Sequence, residues 1–275
     1  MDKLIKSFSL AGYQVISVIG SGGKSNLINY LAKSWRDERI LIGTTTKILY
    51  PQKGTYDYIY NDSYHNLGND GAGITVAGDI VKEVPPKKIT PANTTESKCC
   101  CQDAGIFVMK CLCKLQMPND KYFRKAFNKF NKIVLEADGS MGLPLKAWAD
   151  YEPVILPETT ITIGVIPITS VGLKANPSNI HRFPLWLELT EENPDVIISI
   201  EALIRTITHK KGMWQKAAGE RILCINQVEN SNQLNVAKDI VKCLPIAFKK
   251  NLRKIIACSV KNEQGYVLWD NASAK

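Results

Sequence analysis

Val15-Ile16-Ser17-Val18-Ile19-Gly20-Ser21-Gly22-Gly23-Lys24-Ser25-Asn26 is the stretch on which the reading of this chain turns. Val15 to Ile19 has the apolar, β-branched content of a buried strand. A run of glycine and serine follows, and after it Leu27, Ile28, Leu31, Ala32 and Trp35 recur at helical spacing. In a strand, glycine loop and helix of this kind, successive backbone N–H groups converge on an anion and the helix N-terminus adds its dipole. The dipole contributes at most about 2 kcal/mol, whereas a lysine about 4 Å from a phosphate oxygen contributes about 4 kcal/mol at an effective dielectric near 20. The stretch therefore reads as a phosphate site in which Gly20, Ser21, Gly22, Gly23, Lys24, Ser25 and Asn26 hold the ligand and Lys24 dominates affinity.

Val18 stands where the general pattern G-x-x-x-x-G-K-[ST] has its first glycine, so the loop is a shortened G-x-x-G-K-[ST]. That form resembles the loop of the Mur-ligase group of ATPases. Arg39 to Gly43 reads as a second strand and enters Thr44-Thr45-Thr46-Lys47, completing a β-α-β unit with parallel strands. Ligands lie at the carboxyl ends of such strands, so the threonines are expected to face the crevice of the glycine loop. Ile133 to Leu135 runs into Glu136-Ala137-Asp138-Gly139, the shape of a Walker-B-like strand. Side-chain alternation puts Glu136 and Asp138 on one side. The expected catalytic residues are Lys24, Glu136 and Asp138, and the expected Mg²⁺ ligands are Ser25, Thr45 and Asp138.

The remaining pattern predicts an α/β architecture: a phosphate-loop-type, mostly parallel sheet with helices on both faces. One domain over 1–275 is expected, with a small β-rich, cysteine-rich insertion over 50–118. Within the insertion, Gly73 to Ala77 and Asp79 to Val84 read as short strands around a turn. Helices are predicted over 121–132, 200–207 and 231–244, the last capped by Ser231 or Asn232. Strands are predicted at 160–167, 221–225 and 254–258. His209 follows the middle helix and is read as its C-terminal cap. Asn226-Gln227-Val228-Glu229 resembles the N-K-x-D base-recognition motif of GTPases with two positions changed, which makes Asn226 and Glu229 candidate base contacts. His181-Arg182 is the candidate substrate-facing pair, since arginine forks onto carboxylate or phosphate and histidine titrates near neutrality.

G-S-G-G-K-S, T-T-T-K, L-E-A-D-G-S-x-G-L-P-L-K-A, E-P-V-I and I-G-V together resemble the YqeC family, as do the later Asn179-Ile180-His181-Arg182 and Thr208-His209 with Gly212. The resemblance spans most of the chain and departs at the cysteine-rich segment. It implies an accessory protein of selenium-dependent molybdenum hydroxylases, with such an enzyme or its cofactor-insertion machinery as partner. Lys146, in the L-P-L-K-A stretch, is a further candidate substrate-facing residue with His181 and Arg182.

Composition narrows the alternatives. The 275 residues are 45% hydrophobic, enough for a full core. Lys3 and Lys6 are followed by no continuous apolar run, and nothing approaches the roughly 18 apolar residues of a membrane span, so a cytoplasmic location is expected. Eight cysteines include the adjacent Cys99-Cys100-Cys101 and the pair Cys111 and Cys113; these form no secreted disulfide framework and match no usual zinc spacing. The net charge of +9 is dispersed over scattered pairs such as Lys87-Lys88 and Lys249-Lys250. With screening over roughly 8 Å, scattered pairs do not sum to one field, and no RRM, KH or zinc-finger module accompanies them, which argues against nucleic acid. The expected function is a Mg²⁺-dependent ATP- or GTP-binding protein that hydrolyses slowly and serves as a maturation factor. A Mur-like ligase or kinase on a small acceptor is the alternative, and a basic nucleic-acid-binding protein a further one.

Overall fold

Apolar runs bounded by glycine, proline and charged turns build the sheet, and helices of amphipathic spacing cover it. The computed structural model describes residues 4–83, 112–119 and 121–272. Its strands are β1 (Val15–Gly20), β2 (Arg39–Thr44), β3 (Lys47–Leu49), β4 (Tyr58–Tyr60), β5 (Gly73–Ala77), β6 (Asp79–Glu83), β7 (Leu112–Gln116), β8 (Lys132–Glu136), β9 (Leu145–Lys146), β10 (Ile161–Pro167), β11 (Ile180–His181), β12 (Glu220–Asn226), β13 (Lys254–Ser259) and β14 (Gln264–Asp270). The helices are α1 (Leu4–Phe8), α2 (Lys24–Ser34), α3 (Lys121–Lys125), α4 (Phe183–Thr190), α5 (Ile200–Thr208), α6 (Ser231–Cys243) and α7 (Ile246–Lys250). No helix among the described residues is long and apolar enough to cross a membrane.

Among the described residues the main sheet runs in the order β14-β13-β12-β10-β1-β8-β2-β5-β4. All its pairings are parallel except that of β13 with the edge strand β14. The chain leaves β1 toward β2 on one side and later crosses from β8 to β10 on the other, so the sheet reverses direction of growth at β1. A crevice opens at the carboxyl ends of strands at such a point.

Strand alternation divides the core. Ile16 and Val18 of β1, Ile163 and Val165 of β10 and Ile256 of β13 face one side, where Leu27, Ile28 and Leu31 of α2 and Leu4 of α1 cover them. Leu223, Ile225 and Ile255 face the other side under Trp186 of α4, Leu203 of α5 and Ile240 of α6. Further along that opposite face Leu41, Ile133 and Leu135 pack on Phe123 of α3 and on Phe127. Helices thus lie on both faces, as the sequence pattern predicts.

Several local expectations are corrected. β4 and β5 lie within 50–118 but extend the main sheet, since Gly73 to Val76 pair in parallel with Arg39 to Ile42. Only β3, β6 and β7 form a separate antiparallel sheet, and Gly73–Ala77 and Asp79–Glu83 belong to different sheets rather than to one hairpin. The helix expected over 121–132 stops at Lys125 and tightens into a 3₁₀ turn over Ala126–Lys129. Gln14 Nε2 donates to the carbonyls of Phe127 and Phe130, so the end of that turn is held by a side chain. Asn230, not Ser231 or Asn232, caps α6, its side chain accepting from the Gln233 N–H. His209 does stand at the C-cap of α5. β14 and α4 have no counterpart in the sequence reading: β14 lacks an apolar alternation, and α4 opens on Phe183-Pro184 behind a left-handed Arg182. Of the cysteines singled out, Cys113 is buried, while Cys99, Cys100, Cys101 and Cys111 lie outside the described residues.

Ile163 sits fully buried on β10 at the centre of the sheet. Ile163→Ala is expected to cost about 2–5 kcal/mol, read as a lower denaturant midpoint with an unchanged m-value.

Candidate functional site

The turn out of β1 requires glycine where backbone approaches backbone. Gly20 has φ +100°, and a Cβ there would stand 2.0 Å from the Val165 carbonyl oxygen of the neighbouring strand. Gly23, with φ +107°, would place a Cβ 2.4 Å from the Asn226 amide nitrogen. Within the loop, the Ser21 N–H donates to the Val165 carbonyl at 3.0 Å. The Ser21 hydroxyl is buried with no hydrogen-bond partner among the described residues. Helix α2 begins at Lys24, so its first N–H groups face the loop.

Lys24 is buried beneath the loop. Its ammonium donates to the Gly20 carbonyl at 2.7 Å and lies 3.3 Å from Asp138 Oδ1 and 3.6 Å from Glu136 Oε1. Burial pulls its pKa down, but the charges of Asp138 and Glu136 outweigh burial and hold it above the ordinary lysine value. Ser25 Oγ donates to Glu136 Oε2 at 3.0 Å. Burial raises the Glu136 carboxyl above its ordinary value despite the Lys24 charge and the Ser25 hydrogen bond. Loop, lysine, hydroxyl and the two acids at the end of β8 therefore meet as the sequence reading expects.

Asp138 departs from its expected role in a metal shell. It is fully buried, and donors occupy both its oxygens: the Gly20 N–H at 3.0 Å, Trp148 Nε1 at 2.7 Å, and the ammonium groups of Lys24 and Lys146 at 3.3 Å. Enclosed by four donors and without solvent contact, Asp138 anchors the loop. Thr45 is likewise engaged by backbone. Its hydroxyl donates to the Val154 carbonyl at 2.6 Å and its N–H to the Glu136 carbonyl at 3.1 Å. Among the acids at the loop, Glu136, paired with the Ser25 hydroxyl, is the one placed to serve a cation. Hard oxygen donors of this type suit Mg²⁺.

From Asp138 the ionic contacts continue outward. Lys146 Nζ donates to the Gly139 carbonyl at 2.7 Å and lies 3.4 Å from Glu152 Oε2. Arg182 Nε donates to the same Glu152 oxygen at 2.9 Å, and its terminal nitrogen donates to the Tyr151 hydroxyl at 2.7 Å. Burial lowers the Lys146 pKa despite its acidic neighbours. His181 pairs in register with Lys146 across β11 and β9. Burial, and then the charges of Lys146 and Arg182, lower the His181 pKa and favour the neutral imidazole.

On the far side of the loop, Asn226 Nδ2 donates to the Gly22 carbonyl at 2.9 Å, and Cys258 Sγ lies 3.4 Å from its amide oxygen. Asn226 thus joins the loop. Glu229 does not: it is exposed, its N–H donates to Gln233 Oε1, and its carboxylate pairs with Lys261 at 3.6 Å. Asn26 is exposed on the first turn of α2. Trp148 and Glu152 received no role from sequence. Trp148 directly follows one quoted motif and Glu152 opens another, but only the tertiary fold brings an indole N–H to Asp138 and a carboxylate between Lys146 and Arg182.

A family model described as YqeC protein matches residues 16–184. The match takes in the glycine loop, Glu136, Asp138, Lys146, Glu152 and the His181-Arg182 pair, and leaves Asn226 and Glu229 outside. A relative named "Uncharacterized protein YqeC" from Escherichia coli (strain K12) is 26% identical over 212 residues, covering 73% of this chain and 70% of that protein.

Removing Asp138 leaves two buried ammonium groups short of their shared partner. Asp138→Ala is expected to destabilise by about 3–5 kcal/mol, measured by chemical denaturation. Glu136→Gln, at the more accessible edge of the cluster, is expected to cost distinctly less in the same experiment.

Proposed function

This chain belongs to the YqeC family, and from that premise we propose that it binds a nucleoside triphosphate with Mg²⁺ at the glycine loop and hydrolyses it slowly. The carrying observation is the placement of Lys24 and Ser25 directly behind the loop, against Glu136. The Lys24 ammonium leaves the Gly20 carbonyl for the terminal phosphates, exchanging two carboxylates for a more highly charged partner. The loop N–H groups and the start of α2 hold the phosphate oxygens. Ser25 and Glu136 are the residues that would hold Mg²⁺, which would supply positive charge to offset that of the phosphates. Glu136 also orients the attacking water, while Asp138 keeps Gly20 in place without touching the reacting atoms. The base is ATP or GTP; with Asn226 held on Gly22, discrimination between them rests on Glu229 swinging from Lys261. The family resemblance supports the role of this turnover: maturation of a selenium-dependent molybdenum hydroxylase, in the cytoplasm.

Two substitutions separate charge from chemistry. With fluorescent ATP and GTP analogues, Lys24→Ala is expected to weaken triphosphate binding at least hundredfold, in line with a contribution of about 4 kcal/mol. Glu136→Gln is expected to keep binding in the presence of a chelator, to lose the gain from Mg²⁺, and to lower phosphate release about 10²-fold or more. Unchanged binding by the Lys24→Ala protein contradicts the assignment of the loop.

A further inference from the structure

A cavity of about 630 Å³ opens past the carboxyl ends of β2 and β8, lined by Thr46, Lys47, Gln116, Tyr151, Glu152 and His181 among others. Its volume is that of a small-molecule site. Its position follows from the sheet order. β10 and β12 lie on one side of β1, where Asn226 meets Gly22; β8 and β2 lie on the other. Lys24 and Ser25 both reach toward Glu136 on the β8 side. The cavity is on that same side: Thr45 follows β2, its N–H is held by the Glu136 carbonyl, and Gly139, which also lines the cavity, follows Asp138 directly.

Glu152 is the acid among the residues named, and it is flanked by two cations, Lys146 at 3.4 Å and Arg182 at 2.9 Å. Lys146 has a second acid in Asp138, and Lys24 is shared between Asp138 and Glu136, so three cations stand against three acids in this run; the cation on the cavity lining itself is Lys47. His181 faces the cavity with no hydrogen-bond partner for its imidazole among the described residues. The Thr46 hydroxyl has a distant contact, 3.5 Å from Thr44 Oγ1. Met141, on the cavity lining, holds left-handed backbone with φ 53°, and so does Arg182, with φ 59°. Such backbone costs of order 1 kcal/mol or more and clusters at ligand sites.

We propose that this cavity is a second ligand site, separate from the phosphate loop, and that it takes a small molecule carrying a carboxylate or phosphate group. His181 donates to the oxyanion, Lys47 on the lining adds a positive charge, and the Thr46 hydroxyl and Gln116 amide supply neutral hydrogen bonds. The nucleotide reading enters in one respect: it makes the ligand of this cavity a neighbour of the terminal phosphate rather than of the nucleoside. The site itself stands on the cavity and its wall.

The test uses full-length protein with ¹³C-labelled histidine, in which His181 is distinguished from His65 and His209 by substitution. Succinate and inorganic phosphate are titrated separately, with succinamide as the uncharged control, first without nucleotide and then in AMP-PNP·Mg²⁺. Succinate or phosphate is expected to shift the His181 resonance saturably, in both conditions, with succinamide inert. Response to succinate alone assigns a carboxylate ligand, and response to phosphate alone, in the presence of AMP-PNP, a phosphorylated one. By calorimetry, His181→Gln and the nearly isosteric Thr46→Val are each expected to weaken the effective anion at least five-fold. Silence of His181 toward both anions, or equal response to succinamide, overturns the proposal. Absence of AMP-PNP binding overturns the nucleotide reading instead, and the nucleotide-free succinate titration then still decides the cavity.

Discussion

The carboxylate of Asp138 is the point on which the site depends. A charge with no solvent contact is tolerated only where it is paired and hydrogen-bonded, and here one acid satisfies the Gly20 N–H, the Trp148 indole and two buried lysines at once. That arrangement fixes the first residue of the glycine loop to the strand end that carries Glu136. It also explains why Lys24 can stay charged in a buried position. Without Asp138 the loop has no fixed end, Lys24 has half its compensation, and Lys146 has only Glu152 and a carbonyl.

The same acid ties two regions together. Lys24, Asp138, Lys146, Glu152 and Arg182 form one continuous run of ionic contacts from beneath the loop to the wall of the neighbouring cavity. In the proposed nucleotide complex, where Lys24 turns to a phosphate, Asp138 is left to Lys146, Trp148 and Gly20. Sheet topology makes the run possible, because β8 lies beside β1 and its end supplies both Glu136 and Asp138 to the crevice.

The fold was legible where periodicity and turn chemistry agree. The strand of Val15 to Ile19, the helix after it and the acid-tipped strand ending at Glu136 appear where the residues place them. Edge elements were not legible. β5 reads equally well as half of a hairpin, and only its pairing with β2 makes it part of the main sheet. In the site, the residue set at the loop was visible as a motif, but the division of labour between Glu136 and Asp138 was not. Two acids on one side of a strand end are equivalent in sequence; Trp148 and Lys146, brought in by the segment that follows, enclose one of them and leave the other with Ser25. Likewise the Asn226 to Glu229 motif separates into a residue locked on Gly22 and one paired with Lys261, a split that depends on the left-handed turn at Gln227 between them.

The most direct measurement is a calorimetric titration of the wild-type protein with ATP and with GTP, each with Mg²⁺ and with Mg²⁺ chelated. The account predicts saturable binding of at least one triphosphate that tightens when Mg²⁺ is present, because Lys24 acts in both conditions and the Ser25–Glu136 pair only with the ion. No heat with either nucleotide in either condition contradicts it.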